Sequence, residues 1–362
     1  MSKLLVQPKK LSSNYIPEKL PHREETVEYI RRFLLEDAYY VKLQVLGPAG
    51  SGKTSSTIHA TRRLPAKTIY LNMKMLRSQY TAYKSMLEQT IEGTVSRSLS
   101  SSEMLSLFAK SPGEKILVID EIDYYLLSTG DTTLVYDLTR LIELEPNCKI
   151  RGVIFIYRSP EWKKRLDSAE KSSLGALIVK LERYTQEQLV DIIRYRGEGA
   201  LKPNTLPDYT LHYIAQVVDR EFNGDARYAL DILYFSAIMA ENRDHERIEL
   251  DDVREVISQL IPHMTSEDFA ALQTTEKIVL LSVAYAVQRK EGGFASFTEV
   301  YNSYKELAER FNLRPNIRSM ENALQVLVDL GYIIDKGPKK IAIDVPVDKL
   351  IKFLEKQLAS HY

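Results

Sequence analysis

The stretch Gly47-Pro48-Ala49-Gly50-Ser51-Gly52-Lys53-Thr54 decides the fold of this chain of 362 residues. It fits the pattern G-x-x-x-x-G-K-[ST], in which a glycine-rich loop turns its backbone N–H groups toward a bound phosphate. Residues 41–46 before it form a short apolar run that predicts a buried strand, and a helix is predicted from Thr54 to Arg63. A strand, a glycine-rich loop and a helix N-terminus in this order predict a phosphate-binding loop.

The residues of this loop have different predicted tasks. Lys53 is expected to reach the β- and γ-phosphates of a nucleotide, and the Thr54 hydroxyl is expected to complete the coordination of Mg²⁺. The residues expected to contact the nucleotide are Gly47, Pro48, Ala49, Gly50, Ser51, Gly52, Lys53, Thr54 and Ser55. The sequence therefore predicts ATP or ADP, together with Mg²⁺, as ligands of this chain.

A second motif follows a strongly apolar run. Residues 116–119 are Ile-Leu-Val-Ile, and Asp120-Glu121-Ile122-Asp123 comes directly after them. This pattern predicts a central parallel strand that delivers carboxylates to the carboxyl edge of the sheet, where open α/β sheets bind ligands. Asp120 is expected to orient Mg²⁺, and Glu121 is expected to polarise the water that attacks the γ-phosphate.

Short apolar runs alternate with helix-competent stretches through the first half of the chain. The runs that predict strands are residues 41–46, 67–72, 116–119, 152–157 and 177–181. This alternation predicts an α/β fold with a five-stranded parallel sheet. From Thr185 onward the strands stop, and helices are predicted over residues 186–196, 208–219, 226–240 and 251–260. The predicted domains are a tail (1–14), a nucleotide-binding base (15–182), a helical lid (183–264, with a hinge at 261–265) and a last domain (265–362).

The last domain has a pattern of its own. Helices are predicted over residues 275–289, 297–311 and 317–330, and two short strands then flank a basic turn. Three helices followed by a β-hairpin are typical of a winged helix-turn-helix, whose last helix enters the DNA major groove. Base contacts are predicted at the start of the third helix, from Arg314, Asn316, Arg318 and Ser319. Phosphate contacts are predicted on the wing, from Lys336, Lys339 and Lys340.

Composition narrows the classes of function. The chain is 44% hydrophobic and 27% charged, which is ordinary for a soluble folded protein. It has no apolar run long enough to span a membrane, and its first residues lack the apolar core of a signal peptide, so it is expected in the cytoplasm without a membrane partner. Cys148 is the single cysteine, which excludes an internal disulfide and a cysteine-based zinc site.

The net charge of zero is unevenly distributed. Residues 181–271 carry 9 Lys and Arg against 18 Asp and Glu, whereas residues 1–180 carry 27 against 20 and residues 272–362 carry 13 against 11. A segment with such a negative excess repels polyanions. Any DNA contact is therefore expected from the first and last parts of the chain.

The segment before the first predicted helix places aromatic, aliphatic and basic side chains next to prolines. Its candidate nucleotide contacts are Tyr15, Ile16, Pro17, His22 and Arg23. The prolines hold this segment extended beside the phosphate-loop strand, so these side chains could line one side of a nucleotide base. Plain packing against the rest of the domain is an equally open alternative.

Together these motifs resemble the archaeal origin-recognition/cell-division-cycle family of replication initiators, which are AAA+ ATPases, and the resemblance covers nearly the whole chain. It rests on the entry segment, the two nucleotide motifs, the terminal winged helix, Ser172-Ser173-Leu174-Gly175 and Gly224-Asp225-Ala226-Arg227-Tyr228-Ala229-Leu230-Asp231. The family implies an AAA+ base, a helical lid and a winged-helix domain, in agreement with the domains predicted above.

The resemblance also implies roles for two arginines. Arg227 matches the lid arginine that touches the nucleotide, although an ion pair with Asp225 or Asp231 is an alternative. Arg97 lies in the place of the insertion that presses on the DNA minor groove in this family, and a solvated arginine is the alternative.

Two positions depart from the pattern of the family. The family usually ends its fourth strand with a polar residue, most often asparagine, that helps to position the hydrolytic water, and this chain has Arg158-Ser159-Pro160 there. Arg158 is expected to bring positive charge toward the γ-phosphate without an acceptor for water, so hydrolysis is expected to be slow unless Ser159 substitutes. Lys171 stands near the expected arginine finger, and a lysine lacks the bidentate fork.

The resemblance implies the function of a replication initiator. Such a protein binds double-stranded origin DNA in a nucleotide-dependent way, lies with the nucleoid and acts together with other initiator paralogues. It also helps to recruit or load the replicative helicase, the minichromosome maintenance complex. One alternative, favoured by Arg158, is a DNA-binding regulator that keeps nucleotide bound with little hydrolysis. Another is a signalling ATPase whose winged helix binds protein.

Overall fold

The structure is a computed structural model, and it describes residues 4–35, 40–91, 95–96, 98–260, 269, 272–289, 293–311, 313–335, 341–343 and 347–359. The chain forms two compact units, Met1–Val253 and Arg254–Tyr362. The finer division into base, lid and last domain stays a prediction, and the predicted hinge at 261–265 lies outside the described residues. Among the helices that the structure describes, none is long and apolar enough to cross a membrane.

A parallel sheet lies at the centre of the first unit. In the described part of the chain its strands are β1 (Val41–Leu46), β2 (Lys67–Asn72), β3 (Lys115–Asp120), β4 (Ile150–Tyr157) and β5 (Leu177–Lys180). They form one five-stranded sheet in the order β2-β3-β4-β1-β5, and every pairing is parallel. All residues of β3 are buried, as expected for a strand covered on both faces. The predicted α/β fold with a five-stranded parallel sheet is confirmed.

Helices cover both faces of this sheet. They are α1 (Glu24–Leu35), α2 (Lys53–Arg62), α3 (Met73–Leu76), α4 (Gln79–Glu88), α5 (Ser101–Lys110), α6 (Ile122–Thr129), α7 (Thr133–Thr139), α8 (Leu141–Leu144) and α9 (Ser168–Ser173). Alternate residues of β3 serve the two sides, because Ile116 and Val118 pack with α1 and α2 while Leu117 and Ile119 pack with α4 to α7. The carboxyl ends of β1 and β3 are thereby held between two apolar layers.

The helices that follow β5 are α10 (Gln186–Ala200), α11 (Asp208–Glu221), α12 (Ala226–Asn242) and α13 (Leu250–Gln259). Part of the predicted tail packs beside them. Leu4 and Leu11 are almost fully buried, and the N–H of Leu5 donates to Glu241 Oε1 at 2.9 Å. Leu5 also forms an antiparallel bridge with Leu201. The two buried leucines, the hydrogen bond of the Leu5 N–H and the bridge to Leu201 together fix residues 4–11 against the helices.

The second unit contains α14 (Thr274–Gln288), α15 (Phe297–Arg310), α16 (Ile317–Asp329), β6 (Ile334–Asp335), β7 (Ile341–Ala342) and α17 (Val347–Ala359). Strands β6 and β7 pair antiparallel, and Ala295 adds a bridge to Ile341. Three helices and this hairpin confirm the predicted winged helix. Helix α17 was not predicted, although Leu350, Leu354 and Leu358 recur at helical spacing and are buried in the core of this unit.

Candidate functional site

The phosphate loop connects β1 to α2 and is closed around its own lysine. Gly50 and Gly52 have φ values of +64° and +86°, a region that favours glycine. Lys53 is only 9% exposed, and its ammonium donates to the carbonyl oxygens of Gly47 and Pro48 at 2.7 Å each. Burial lowers the pKa of Lys53 to about 8, and the positive charge of Arg158 acts in the same direction.

The two predicted Mg²⁺ ligands meet at the carboxyl end of β3. Thr54 Oγ1 donates to Asp120 Oδ2 at 2.6 Å, and Tyr70 on the neighbouring strand β2 donates its hydroxyl to the same oxygen at 2.9 Å. The N–H of Glu121 donates to Asp120 Oδ1 at 2.9 Å. Burial, followed by the charge of Glu121, raises the pKa of Asp120 to about 6. Tyr70 was missed, because its contact depends on β2 lying next to β3.

Glu121 is held by an ion pair. Its backbone has φ +56°, and the Arg158 Nη2 lies 3.0 Å from Glu121 Oε1. Burial by itself disfavours the charged carboxylate, but Arg158, Lys74 and Lys53 outweigh it and lower the pKa of Glu121. The charge of Arg158, expected to face the γ-phosphate, is therefore directed at the carboxylate expected to polarise water.

The loop after β4 is fixed by Asp123, the last acidic residue of the second motif. Asp123 Oδ2 accepts from the N–H groups of Arg158 at 2.7 Å and Ser159 at 3.2 Å. The Ser159 hydroxyl oxygen accepts from the N–H of Glu161 and caps the 3-10 turn Pro160–Arg165. Ser159 thus has a structural task in this loop, and Asp123 is a positioning residue whose role was not predicted from the sequence.

Arg23, predicted near the nucleotide base, connects the phosphate loop to the neighbouring segments by hydrogen bonds. Its guanidinium is buried and donates at 2.9 Å to the carbonyl oxygens of Ser51, Glu182 and His22. It also stacks on Tyr184, with its Cζ 3.9 Å from the ring centroid. Burial lowers the pKa of Arg23. The entry segment, the phosphate loop and the residues between β5 and α10 are therefore joined at one side chain.

The other predicted residues of the entry segment contact protein groups in this structure. His22 Nε2 lies 2.9 Å from Asp191 Oδ2, a residue of α10. The Tyr15 ring lies under the Arg196 guanidinium at 5.4 Å. Ile16 packs on the apolar layer that covers α1 and α2, and Pro17 is buried. Their contact with a nucleotide base stays a prediction.

The start of α12 touches the phosphate loop. Asp225 caps this helix by accepting from the N–H of Arg227 at 2.9 Å, and it pairs with the same guanidinium, Oδ2 to Nη2, at 2.7 Å. A Cβ atom on Gly50 would collide with Asp225 Oδ1. This is the ion pair left open as an alternative for Arg227, and it lies directly against the loop. The role of Arg227 as a nucleotide sensor stays a prediction.

The predicted base-reading end of α16 faces solvent. Arg314, Asn316, Arg318 and Ser319 are all exposed. Asn316 Oδ1 accepts from the N–H of Ser319 at 3.1 Å, so the asparagine caps the helix. The remaining predicted DNA contacts, Arg97, Lys336, Lys339 and Lys340, lie outside the described residues.

A parallel sheet with a phosphate loop, an acidic strand end beside it, a helical lid against the loop and a C-terminal winged helix define an AAA+ ATPase. Residues 190–258 match the Cdc6 AAA+ ATPase-type lid domain, and residues 267–351 match the CDC6 C-terminal winged helix domain. An ORC1-type DNA replication protein of Methanothermobacter thermautotrophicus is 31% identical over 304 residues, which cover 83% of this chain and 79% of the relative. The chain belongs to the family of ORC1-type DNA replication proteins.

Further relatives match nearly the whole chain. ORC1-type DNA replication protein 1 of Aeropyrum pernix is 29% identical over 341 residues, which cover 89% of this chain and 85% of the relative. The solved structure of the Aeropyrum pernix ORC1 protein in complex with DNA superposes with a TM-score of 0.77 at 27% identity and covers 100% of both chains. The resemblance stated from the motifs is thus confirmed.

Proposed function

We propose that this chain is a replication initiator that binds double-stranded origin DNA and whose DNA binding depends on bound nucleotide. The observation that carries this proposal is the full-length match to an ORC1 protein described in complex with DNA. The order of modules supports it, because the phosphate loop, the lid helices and the winged helix follow one another as in that family.

The nucleotide part of the proposal rests on the loop and on the carboxylates beside it. Hard oxygen ligands suit Mg²⁺, and Thr54 Oγ1 and Asp120 Oδ2 already lie 2.6 Å apart. Lys53 supplies a buried positive charge for phosphate, and Asp225, the ion-pair partner of Arg227, lies against the loop at the start of α12. Bound Mg²⁺ would neutralise phosphate charge, while Thr54 and Asp120 hold it and Tyr70 orients Asp120.

The DNA part of the proposal rests on the winged helix. The exposed N-terminal end of α16 presents Arg314 and Arg318, and the helix dipole there favours contact with an anionic backbone. The wing lysines at 336, 339 and 340 would hold phosphates without reading sequence. The acidic segment 181–271 is unsuited to DNA, which leaves the first and last parts of the chain. Most of the affinity is assigned to the winged helix, because the base-reading helix and the wing lie there.

Recruitment of the replicative helicase, cooperation with other initiator paralogues and association with the nucleoid in the cytoplasm belong to the same proposal. The resemblance to the archaeal origin-recognition/cell-division-cycle initiators implies them, and the match to ORC1-type DNA replication proteins supports that resemblance. A second candidate function is a nucleotide-bound DNA-binding regulator with little hydrolysis. The ion pair between Arg158 and Glu121 favours it, because a tethered carboxylate is hindered in polarising water.

One experiment separates these functions. Binding of a labelled origin duplex by the full chain is measured with ATPγS, with ADP and without nucleotide, and pull-down of the minichromosome maintenance complex is measured in the same conditions. An initiator binds duplex in a nucleotide-dependent way and retains the helicase, whereas the regulator binds duplex and retains none. Failure to bind duplex with any nucleotide would exclude both.

A further inference from the structure

Arg158 is fixed at a defined place beside the phosphate loop. Tyr157, the residue before it, is buried and ends β4 opposite Leu46 of β1, and its hydroxyl donates to Gln44 Oε1 at 3.0 Å. The N–H of Arg158 itself donates to Asp123 Oδ2 at 2.7 Å. Because the backbone of Arg158 is fixed by β4 and by Asp123, a change of partner by its guanidinium requires only a movement of the side chain.

The charge of Arg158 is shared with a catalytic candidate. Its Nη2 lies 3.0 Å from Glu121 Oε1, and the two side chains are 25% and 20% exposed, so the pair is partly withdrawn from water. The attraction between the two charges is therefore screened less than in a pair on an open surface. The pair lies beside the phosphate loop, because Glu121 directly follows Asp120, whose carboxylate accepts from the hydroxyl of Thr54 next to Lys53. Burial, followed by the positive charge of Arg158, lowers the pKa of Lys53, in agreement with this placement.

The two cations beside the phosphate loop, Lys53 and Arg158, have different partners. Lys53 is held by neutral carbonyl oxygens of Gly47 and Pro48, whereas Arg158 is paired with the Glu121 carboxylate. A phosphate that arrives next to Lys53 competes with Glu121 for the guanidinium, since the planar fork matches the geometry of both phosphate and carboxylate.

We propose that Arg158 exchanges its partner, leaving Glu121 for the terminal phosphate of a nucleoside triphosphate, and that a nucleoside diphosphate leaves the Arg158–Glu121 pair intact. This inference rests on the proposed nucleotide site. Arg158 is then a specificity-determining residue that senses the third phosphate, and it is a positioning residue for Glu121. A ligand shifts an equilibrium only by its differential affinity, so the strength of the pair is subtracted from the affinity for triphosphate and not from that for diphosphate.

The test is a double-mutant cycle on binding, with no turnover involved. The measured quantity is the ratio of the dissociation constants of ADP and ATPγS, by calorimetry, for the full chain and for Glu121→Gln, Arg158→Ala and the double variant. A general loss of protein stability weakens the binding of both nucleotides, so its effect cancels in the ratio of the dissociation constants. Glu121→Gln also removes repulsion between carboxylate and phosphate, and this part is present with or without Arg158.

Partner exchange predicts the sign of the coupling. Glu121→Gln raises the ratio about three- to tenfold more when Arg158 is present than when it is replaced by alanine, because only then is a competing ion pair removed. If the pair stays closed with ATPγS, Arg158 merely shields the carboxylate, and Glu121→Gln raises the ratio equally or less in its presence. That result would overturn the inference.

A matched control lies at the opposite end of β4. Arg151 Nη2 pairs with Glu114 Oε2 at 2.6 Å, and Arg151→Ala removes an arginine–glutamate pair from the same strand without touching the loop. Its ratio is expected to equal that of the parent. If the parent and this control bind neither nucleotide, the proposed nucleotide site fails and the inference fails with it. If both bind and the coupling is absent, only the inference fails.

Discussion

Lys53 and Asp120 are buried charges held largely by neutral groups, and this explains how the site is prepared for its ligands. The ammonium of Lys53 donates to two carbonyl oxygens, and Asp120 accepts from two hydroxyls and one N–H. A buried charge that lacks an opposite charge as its closest partner is costly, and phosphate with Mg²⁺ would compensate both at once.

Replacing Lys53 should abolish nucleotide binding. Lys53→Ala removes the cation that lies within the phosphate loop, and ATP affinity measured by calorimetry is expected to fall by about a hundredfold or more, as is typical when one partner of a buried charged interaction is removed. Lys67→Ala is the matched control, because Lys67 is exposed at the first residue of β2. Unchanged ATP affinity in Lys53→Ala would show that the site is assigned wrongly.

Hydrolysis should depend on Glu121 and be slow in the parent. Glu121→Gln removes the carboxylate expected to polarise water and leaves Asp120 for the metal, so ATP stays bound and phosphate release stops. The parent is expected to turn over well below the roughly 10 s⁻¹ median of enzymes, because Arg158 holds Glu121. A phosphate-release assay that found turnover at that median would contradict the role given to Arg158.

Motif residues could be predicted from the sequence, and their partners could not. Lys53, Thr54, Asp120 and Glu121 are recognised by local spacing. Tyr70, by contrast, reaches Asp120 only because the order of the sheet places β2 beside β3. Asp123 was visible as an acidic residue, but its bonds to the N–H groups after β4 depend on the neighbouring strand. Such interactions lie between elements that are distant along the chain.

The contact between the phosphate loop and α12 couples two elements of the first unit. Ala226 at the first position of α12 donates its N–H to the Gly50 carbonyl oxygen at 3.4 Å, and Asp225 fills the space that a side chain on Gly50 would need. The loop can therefore take up this position only with glycine at Gly50. The lid helix is seated on the loop through backbone and carboxylate atoms.

Gly50→Ala should disrupt the contact between the phosphate loop and α12. Its φ of +64° strains an alanine, and the new Cβ collides with Asp225, so the free energy of unfolding is expected to fall by about 1–3 kcal/mol and nucleotide affinity is expected to fall with it. Asp225→Ala costs a helix cap by itself. In the double variant the losses should be less than additive, as urea unfolding would show. Strict additivity would mean that the collision is relieved elsewhere.

Elements with strong periodicity were predicted closely, and short or late elements were not. The predicted strand 41–46 and the observed β1 coincide, and β5 differs only at its end. Helix α6 and helix α17 were missed, because the first follows directly on an acidic motif and the second follows the wing hairpin, which by itself completes the winged-helix pattern. The bridge between Ala295 and Ile341 joins residues that are separated in the sequence by α15 and α16, so no local sequence pattern indicates it.

The first compact unit is expected to bind nucleotide, and the second is expected to bind DNA. The first contains the phosphate loop, both carboxylates and α12, and the second contains the winged helix. A protein truncated after residue 261 is therefore expected to keep its ATP affinity within about threefold and to lose nearly all duplex binding, since the base-reading helix and the wing lysines are both removed. Duplex binding equal to that of the full chain would place the DNA-binding surface on the first unit.

The central claim is that DNA is read by α16 and held by the wing, and titration of duplex against salt tests it most directly. The titration compares the full-length parent with Arg318→Ala and with the triple alanine variant of Lys336, Lys339 and Lys340, each on a preferred and a scrambled duplex. Arg310→Ala is the control, because Arg310 lies on α15 and pairs with Glu355. Arg318→Ala is expected to cost about 1–3 kcal/mol on the preferred duplex and little on the scrambled one. The wing variant is expected to weaken both duplexes and to reduce the slope of log affinity against log salt by about one unit for each DNA phosphate that the wing no longer neutralises. Parent-like affinity and slope in both variants would contradict the account.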